Sequence, residues 1–300
     1  MLKIIIPVVI VLIILGGICY FIWWIPSFIM TGKRQTIEEA FTWQSEHYDT
    51  SFYGKTEKLA YTVEGWNGYI LHAEFLQNPE KTNRYVIISH GYTDNRMGAL
   101  KYVPIYFELG FNCIIYDLRG HGENAPTVTT YGEREGKDIN FLVRDTRKRY
   151  PDIEVLGLHG ESLGGASTIM SLSEKPEVDF VVSDCAFAGL EDILKDGYRK
   201  VHIPIWIVDI ADIGTKIRYK TSYRNMRPVR AIEENEIPVL FFHGAEDQLI
   251  PPKNSESLAE HTKGYKELVI IPGAAHAESV LKDPEVYKKT VKAFVERLIF

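Results

Sequence analysis

The chain has 300 residues, 45% of them apolar, with 34 Lys and Arg against 40 Asp and Glu for a net charge of −6. That acidic balance excludes nucleic acid as the main partner. There are no internal repeats, low-complexity tracts or phosphate-cradling glycine motifs, and three cysteines scattered at 19, 113 and 185 read as small apolar fillers, not as a disulfide framework or a metal site.

The first element is a stretch from Ile4 to Met30 without a single charged residue. About 20 such residues span a bilayer. A secretory signal would have a shorter apolar core and a small-x-small cleavage site, whereas this run ends in Tyr20-Phe21-Ile22-Trp23-Trp24-Ile25-Pro26, aromatics that favour a membrane interface. Residues 1–31 therefore read as an uncleaved, single-pass signal anchor held by membrane lipid. Lys3 before the span is balanced by Lys33 and Arg34 after it, and the short amino-terminal tail leads us to expect a cytoplasmic terminus and an extracytoplasmic catalytic domain. Residues 32–57 read as a polar, helical connector, with Trp43, Tyr48 and Phe52 available to pack.

The remaining residues, 58–300, suit one α/β domain. Two strand-like runs over 58–76 meet at Trp66-Asn67-Gly68, a hairpin signal, and would form an antiparallel edge. Arg84 to Ser89 is a strand that leads into His90-Gly91-Tyr92, and Cys113 to Tyr116 is another that leads into Asp117-Leu118-Arg119-Gly120-His121-Gly122. Helices are expected near 96–108, 134–149, 163–174, 253–262 and 284–298, alternating with strands in the manner of crossover units.

The apolar run Ile153, Val155, Leu156, Leu158 ends in Gly160-Glu161-Ser162-Leu163-Gly164-Gly165. A serine presented at a tight strand-to-helix turn needs small residues two before and two after it, so that the backbone can close. Gly160 and Gly164 satisfy that. Later, Val239 to His243 leads into Asp247, and Leu268 to Ile271 leads into His276. Each candidate follows a strand, so all three would project from the carboxyl edge of one sheet. Asp184, at the end of the 179–184 strand, is the rival acid; Asp247 is preferred because its strand lies just before the histidine.

Together these motifs resemble the α/β-hydrolase superfamily, near its serine-aminopeptidase-like and prolyl-oligopeptidase-like branch. The resemblance spans most of residues 58–300 and rests on His90-Gly91, Asp117 to Gly122, Gly160 to Gly165, Asp247 and His276. It implies a mostly parallel central sheet flanked by helices, with Ser162 as nucleophile, His276 as base, Asp247 as its acid partner, and an oxyanion hole from the Tyr92 and Leu163 backbone N–H groups. It implies no cofactor and no metal, and a small-molecule acyl substrate. An ester hydrolase, a peptidase-like hydrolase and a catalytically silent membrane-anchored binding protein all fit the fold. Oligomeric state stays open.

More than 50 residues separate the strand at 179–184 from that at 239–243, far beyond an ordinary connection. In the superfamily this position, about 187–236 here, commonly holds a helical cap over the active site. Its first half, Ile203 to Val208, is apolar and is expected mostly to pack the cap onto the domain, with Trp206 the best pocket contact and His90 a further pocket candidate. Its second half carries Lys216, Arg218, Lys220, Arg224, Arg227 and Arg230 with no acidic residue among them. That run reads as a solvated cationic face, or as a contact for anionic headgroups or an anionic substrate.

Overall fold

In the computed structural model, residues 2–299 are described along the backbone; the side chains of residues 1–4, Lys3 of the orientation argument among them, and of 299–300 lie outside that description. Eight strands form one sheet: β1 (Lys58–Glu64), β2 (Ile70–Leu76), β3 (Arg84–Ser89), β4 (Asn112–Tyr116), β5 (Val155–Glu161), β6 (Phe180–Asp184), β7 (Val239–Gly244) and β8 (Lys266–Ile271). Their order is β1-β2-β4-β3-β5-β6-β7-β8. β1 and β2 are the antiparallel edge, and every pair from β4 to β8 is parallel. At the β1–β2 turn, Asn67 and Gly68 take φ of 58° and 71°, the left-handed backbone that an Asn-Gly pair supplies.

The parallel strands are apolar along their whole length because both faces are covered. Ile87, Leu158, Val181 and Phe241 point into one core, and Ile88, Val182, Leu240 and Phe242 into the other. The first core is closed by α4 (Glu135–Arg149), α5 (Leu163–Ser171), α6 (Leu190–Lys200), α7 (Trp206–Tyr219), α8 (Pro228–Ile232), α9 (Lys253–His261) and the end of α1 (Leu2–Met30). The second is closed by α2 (Ile37–His47), α3 (Val103–Glu108), α10 (Ser279–Lys282) and α11 (Pro284–Ile299). The helix expected over 96–108 is a 3-10 segment, Arg96–Lys101, followed by the short α3.

Helix α1 has two regimes. From Ile5 to Phe28 its large apolar side chains are mostly exposed, and by length and composition it could cross a membrane. Its last turn belongs to the domain: Ile29 and Met30 are buried in the first core, Tyr131 Oη donates to the Ile29 carbonyl at 2.6 Å, and Thr129 N–H donates to the Met30 carbonyl at 2.9 Å. Pro26, inside the helix, has no N–H to give the Ile22 carbonyl. That carbonyl meets Gly214 of α7, where any Cβ would overlap it. Arg218, one turn on, donates to the Trp23 carbonyl at 2.5 Å and lies over the Trp23 ring at 4.2 Å.

The insertion differs from expectation in two ways. Most of its apolar run does not pack: Ile203, Ile205 and Trp206 are exposed and Ile207 is half-buried, and of the run only Val208, joined by Ala211 beyond it, reaches the core. The basic half is not uncompensated either. Lys216 pairs with Asp212 at 2.8 Å, Arg224 with Glu191 at 3.4 Å and Arg227 with Asp192 at 3.5 Å. The acids come from α6 and from α7 itself, upstream of the stretch whose charge looked one-sided.

Truncating Met30 leaves a cavity in the domain core, whereas Leu12 lies 62% exposed on α1. Met30→Ala is therefore expected to cost about 2–5 kcal/mol and Leu12→Ala almost nothing, measured by chemical denaturation of the full chain in detergent micelles.

Candidate active site

The turn from β5 into α5 carries Ser162 at φ 52°, ψ −113°. A non-glycine residue there costs on the order of 1–3 kcal/mol and persists only where its surroundings hold it. They do so here through backbone. Ser162 N–H donates to the Asp184 carbonyl at 2.8 Å, and the Ser162 carbonyl accepts from Ala166 N–H at 2.9 Å. A Cβ on Gly160 would overlap the Gly164 carbonyl, and one on Gly164 would overlap that of Ser89. Both glycines are thus required by close approach.

Beyond β7 and β8 the chain brings Asp247 and His276 to the same edge, tied by Ala245 N–H to the Ile271 carbonyl and Glu246 N–H to the Ala274 carbonyl, both at 2.9 Å. Ser162 Oγ lies 2.8 Å from His276 Nε2, and His276 Nδ1 lies 2.6 Å from Asp247 Oδ2. With Nδ1–H donated to the carboxylate, Nε2 is left to accept the serine proton. Asp247 Oδ1 accepts from the N–H groups of Leu249 and Ile250 at 2.9 and 2.8 Å. Burial alone would raise this carboxyl, but the hydrogen bonds of His243, His276 and Ile250 outweigh it and hold it well below the usual carboxylate range.

His243 has no counterpart in the sequence reading. It sits in β7, gives Nε2–H to the Ile250 carbonyl at 2.6 Å, lies 3.3 Å from Asp247 Oδ2, and meets Ser255 Oγ through Nδ1 at 2.6 Å. A histidine directly after the apolar run Val239 to Phe242, still within β7, was the available signal. Asp184, the rival acid, takes its bond from Ser279 Oγ at 2.9 Å, and burial pushes its carboxyl up to about 6. Cys185, Asp247 and His276 bring ligand-type atoms within 4.8 Å of one another. Because both imidazole nitrogens of His276 are engaged, the cluster fits proton transfer better than metal ligation.

The loop after β3 runs against the elbow: a Cβ on Gly91 would stand 3.9 Å from Ser162 Cβ. Leu163, the first residue of α5, is among the positions whose N–H has no intrahelical acceptor. The Tyr92 carbonyl is engaged by His121 Nε2 at 2.5 Å. His90 is not a pocket residue. It is buried, donates through Nδ1 to the Gly91 carbonyl at 2.7 Å and accepts at Nε2 from Leu118 N–H at 2.9 Å, and burial, with His121 nearby, keeps the imidazole neutral. Asp117 and Arg119 brace neighbouring segments, Asp117 bonding Arg96 at 2.6 Å and Arg119 gripping both oxygens of Asp138.

Ser162 and His276 open into a cleft of about 510 Å³. Its outer wall is Trp43, His47 and Tyr48, at the end of α2; Leu249 and Leu281 add apolar surface, and none of the lining residues belongs to the insertion. Trp206, 57% exposed, lies outside it. The connector is fixed over the cleft by a capping box at Thr36 and Glu39, by Gln35 N–H to the Thr93 carbonyl at 2.8 Å, and by Asn95 Nδ2 to the Thr36 carbonyl at 3.0 Å. The cleft floor is charged. Lys101 Nζ and Tyr102 Oη both reach Glu161 Oε2 at 2.5 Å; burial would lower Lys101, but Glu161 outweighs it and keeps the ammonium charged. A second groove, about 660 Å³ and mostly apolar, runs between α1 and the domain along Trp24, Phe28, Tyr131 and Leu194, and shares Tyr92 with the cleft.

Comparison with known proteins agrees with this geometry. Residues 99–299 match the model of the Prolyl oligopeptidase family. The chain is 31% identical over 272 residues to YqkD of Bacillus subtilis, covering 89% of each protein, and 26% identical to the alpha/beta hydrolase domain-containing protein WAV2 of Arabidopsis thaliana, over 78% of this chain and 77% of that one. Among solved structures, a Pyrococcus furiosus esterase aligns with TM-score 0.69 and 22% identity, over 84% of this chain and 95% of its own. The acylaminoacyl peptidase of Pyrococcus horikoshii aligns with TM-score 0.64 and 17% identity, over 84% of this chain and 44% of its own.

Two substitutions separate the acids. Asp247→Asn is expected to reduce turnover of an activated ester by about 10⁴-fold, the scale seen when a triad carboxylate loses its charge, while Asp184→Asn retains it. The connector wall gives a separate prediction: Trp43→Ala should raise KM for bulky acyl groups while leaving kcat for an acetyl ester unchanged, in steady-state assays of both substrates.

Proposed function

The chain belongs to the Prolyl oligopeptidase family and has the α/β-hydrolase fold, and from that premise we propose that it hydrolyses carboxylic esters through an acyl-enzyme on Ser162. The observation that carries this reading is the run of contacts from Ser162 Oγ to His276 at 2.8 Å and on to Asp247 at 2.6 Å. His276 takes the hydroxyl proton as Oγ attacks the ester carbonyl, and Asp247 stabilises the resulting imidazolium. The Tyr92 and Leu163 N–H groups receive the oxyanion, a contribution worth on the order of 100-fold to 1,000-fold per donor. His276 then protonates the departing alkoxide. Water attacks the acyl-enzyme, with the same imidazole accepting its proton, and releases the acid.

An ester with an apolar acyl chain suits the surroundings best. Trp43, Leu249 and Leu281 line the cleft, Lys101 and Glu161 neutralise each other at its floor, and the apolar groove meets it at Tyr92. The enzyme works at a membrane in this reading, with α1 as an uncleaved anchor and the domain outside the cytoplasm. The burial of Ile29 and Met30 supports an anchor over a signal cleaved after the helix, because cleavage beyond Met30 would take part of the domain core with it.

A peptidase-like activity is the second reading. It is favoured by the family and by Glu278, a carboxylate at the cleft rim that could receive a substrate amine.

The test is intact-mass labelling of the full chain with a fluorophosphonate, beside a panel of p-nitrophenyl esters and aminoacyl p-nitroanilides. We expect one adduct and ester turnover, both lost in Ser162→Ala, with ester turnover exceeding anilide turnover. Preferential anilide cleavage would favour the peptidase, and no adduct on folded protein would favour a binding protein without catalysis.

A further inference from the structure

Helix α7 is apolar on the wrong side. Its core-facing positions are Val208, Ala211, Asp212 and Thr215, all buried. Trp206, Ile210, Ile213 and Ile217 recur at steps of four, three and four residues and so form a single stripe on another face. That stripe is not covered by protein: Trp206, Ile213 and Ile217 are 57%, 50% and 57% exposed, and Ile210 is partly so. Val201, Ile203 and Ile205, in the segment leading into α7, extend it and are also exposed. Contiguous apolar surface of this extent on a folded domain marks a contact with something else.

The position of the stripe says what that is. Gly214 and Arg218 of α7 lie against Ile22, Trp23 and Pro26 of α1, and on the helix surface Gly214 adjoins Ile210 and Ile217 of the stripe, four residues before it and three after it. The stripe thus continues the exposed apolar surface of α1, and its other margin is polar, with Asp209, Lys216 and Lys220. A helix with an apolar row, a charged row beside it and a tryptophan at its start has the make-up of one that lies in a membrane interface.

We propose that α7 and the segment before it are a second membrane contact, sunk beside α1 into the same leaflet, so that the insertion is a membrane-seated element and not a lid over Ser162. This rests on the reading of α1 as a bilayer span. Two attachments side by side fix the tilt of the domain on the membrane, which one helix alone leaves free.

The test uses the full chain in phosphatidylcholine–phosphatidylglycerol nanodiscs, with Cys19→Ala to remove the exposed thiol; Cys113 and Cys185 are buried. Nitroxides are attached one at a time at Ile213→Cys, Ile217→Cys, Leu12→Cys on α1 and Lys289→Cys on α11, and their collision rates with oxygen and with a water-soluble nickel chelate are compared. Fluorophosphonate labelling checks that each variant is folded. High oxygen and low nickel accessibility at 213 and 217, as at 12 and unlike 289, is the expected result. Nickel accessibility at 213 and 217 equal to that at 289, with 12 in lipid, would overturn the proposal and leave the anchor standing. Low accessibility to both reagents would overturn it in favour of contact with another protein surface. Nickel access at 12 would remove the anchor and the proposal together.

Discussion

Ser162 stands at a backbone angle that an L-residue avoids, and the catalytic end of the sheet is arranged around keeping it there. The strain is opposed by backbone bonds to Asp184 and Ala166 and by glycines that let β3, β5 and α5 approach to contact distance. Those are interactions of the fold as a whole, not of a local loop. The same closeness brings the loop after β3 against the elbow, the approach that the proposed oxyanion site requires. Asp247 completes the arrangement from the other side: with Oδ1 held by two N–H groups and Oδ2 facing His276 and His243, it can neither rotate away nor take up a proton readily. A carboxyl whose native pKa is depressed adds stability above its unfolded pKa and loses it as pH falls through the native value. Asp247 therefore also helps to lock β7 to β8 at neutral pH.

Much of this was legible in the sequence because it follows from strict local requirements. A serine at a tight turn needs glycine on both sides, and the turns that follow β7 and β8 deliver Asp247 and His276 to one edge. The Asn67-Gly68 hairpin and the mostly parallel sheet were legible for similar reasons. What escaped depends on contacts between distant segments. Nothing near Trp43 or His47 announces that α2 will roof the cleft; that follows from Thr36 and Gln35 docking on the loop after β3. The cationic run from Lys216 to Arg230 looked unbalanced because its partners Glu191, Asp192 and Asp212 lie upstream of it in the chain. The apolar run Ile203 to Val208 sends only Val208 into the core and leaves Ile203, Ile205 and Trp206 exposed, since hydropathy alone does not say what covers an apolar side chain.

The division of labour around the site is also altered by these contacts. An insertion between β6 and β7 is the natural place to look for a roof, but here the roof comes from residues that precede the first strand. The lining that the connector supplies comes from a segment continuous with the helix α1. Trp43 and Tyr48 line the cleft that Ser162 opens into, while the insertion packs on α1 and presents its apolar stripe outward.

Pro26 shows how α1 is joined to the domain without a flexible hinge. Having no N–H, it leaves the Ile22 carbonyl without its helical donor, and in apolar surroundings such a group is costly unless something compensates. The backbone of α7 comes close there, at Gly214, and Arg218 covers the adjacent Trp23 carbonyl while its guanidinium spreads over the Trp23 ring. A turn later the Ile29 carbonyl is held by Tyr131, which stacks on Tyr92 at 5.6 Å, and Tyr92 belongs to the loop against Ser162. From α1 to that loop the path is therefore continuous and made of packed rings and hydrogen bonds. If α1 is a bilayer span, as proposed, this connection would carry its orientation to the loop beside Ser162.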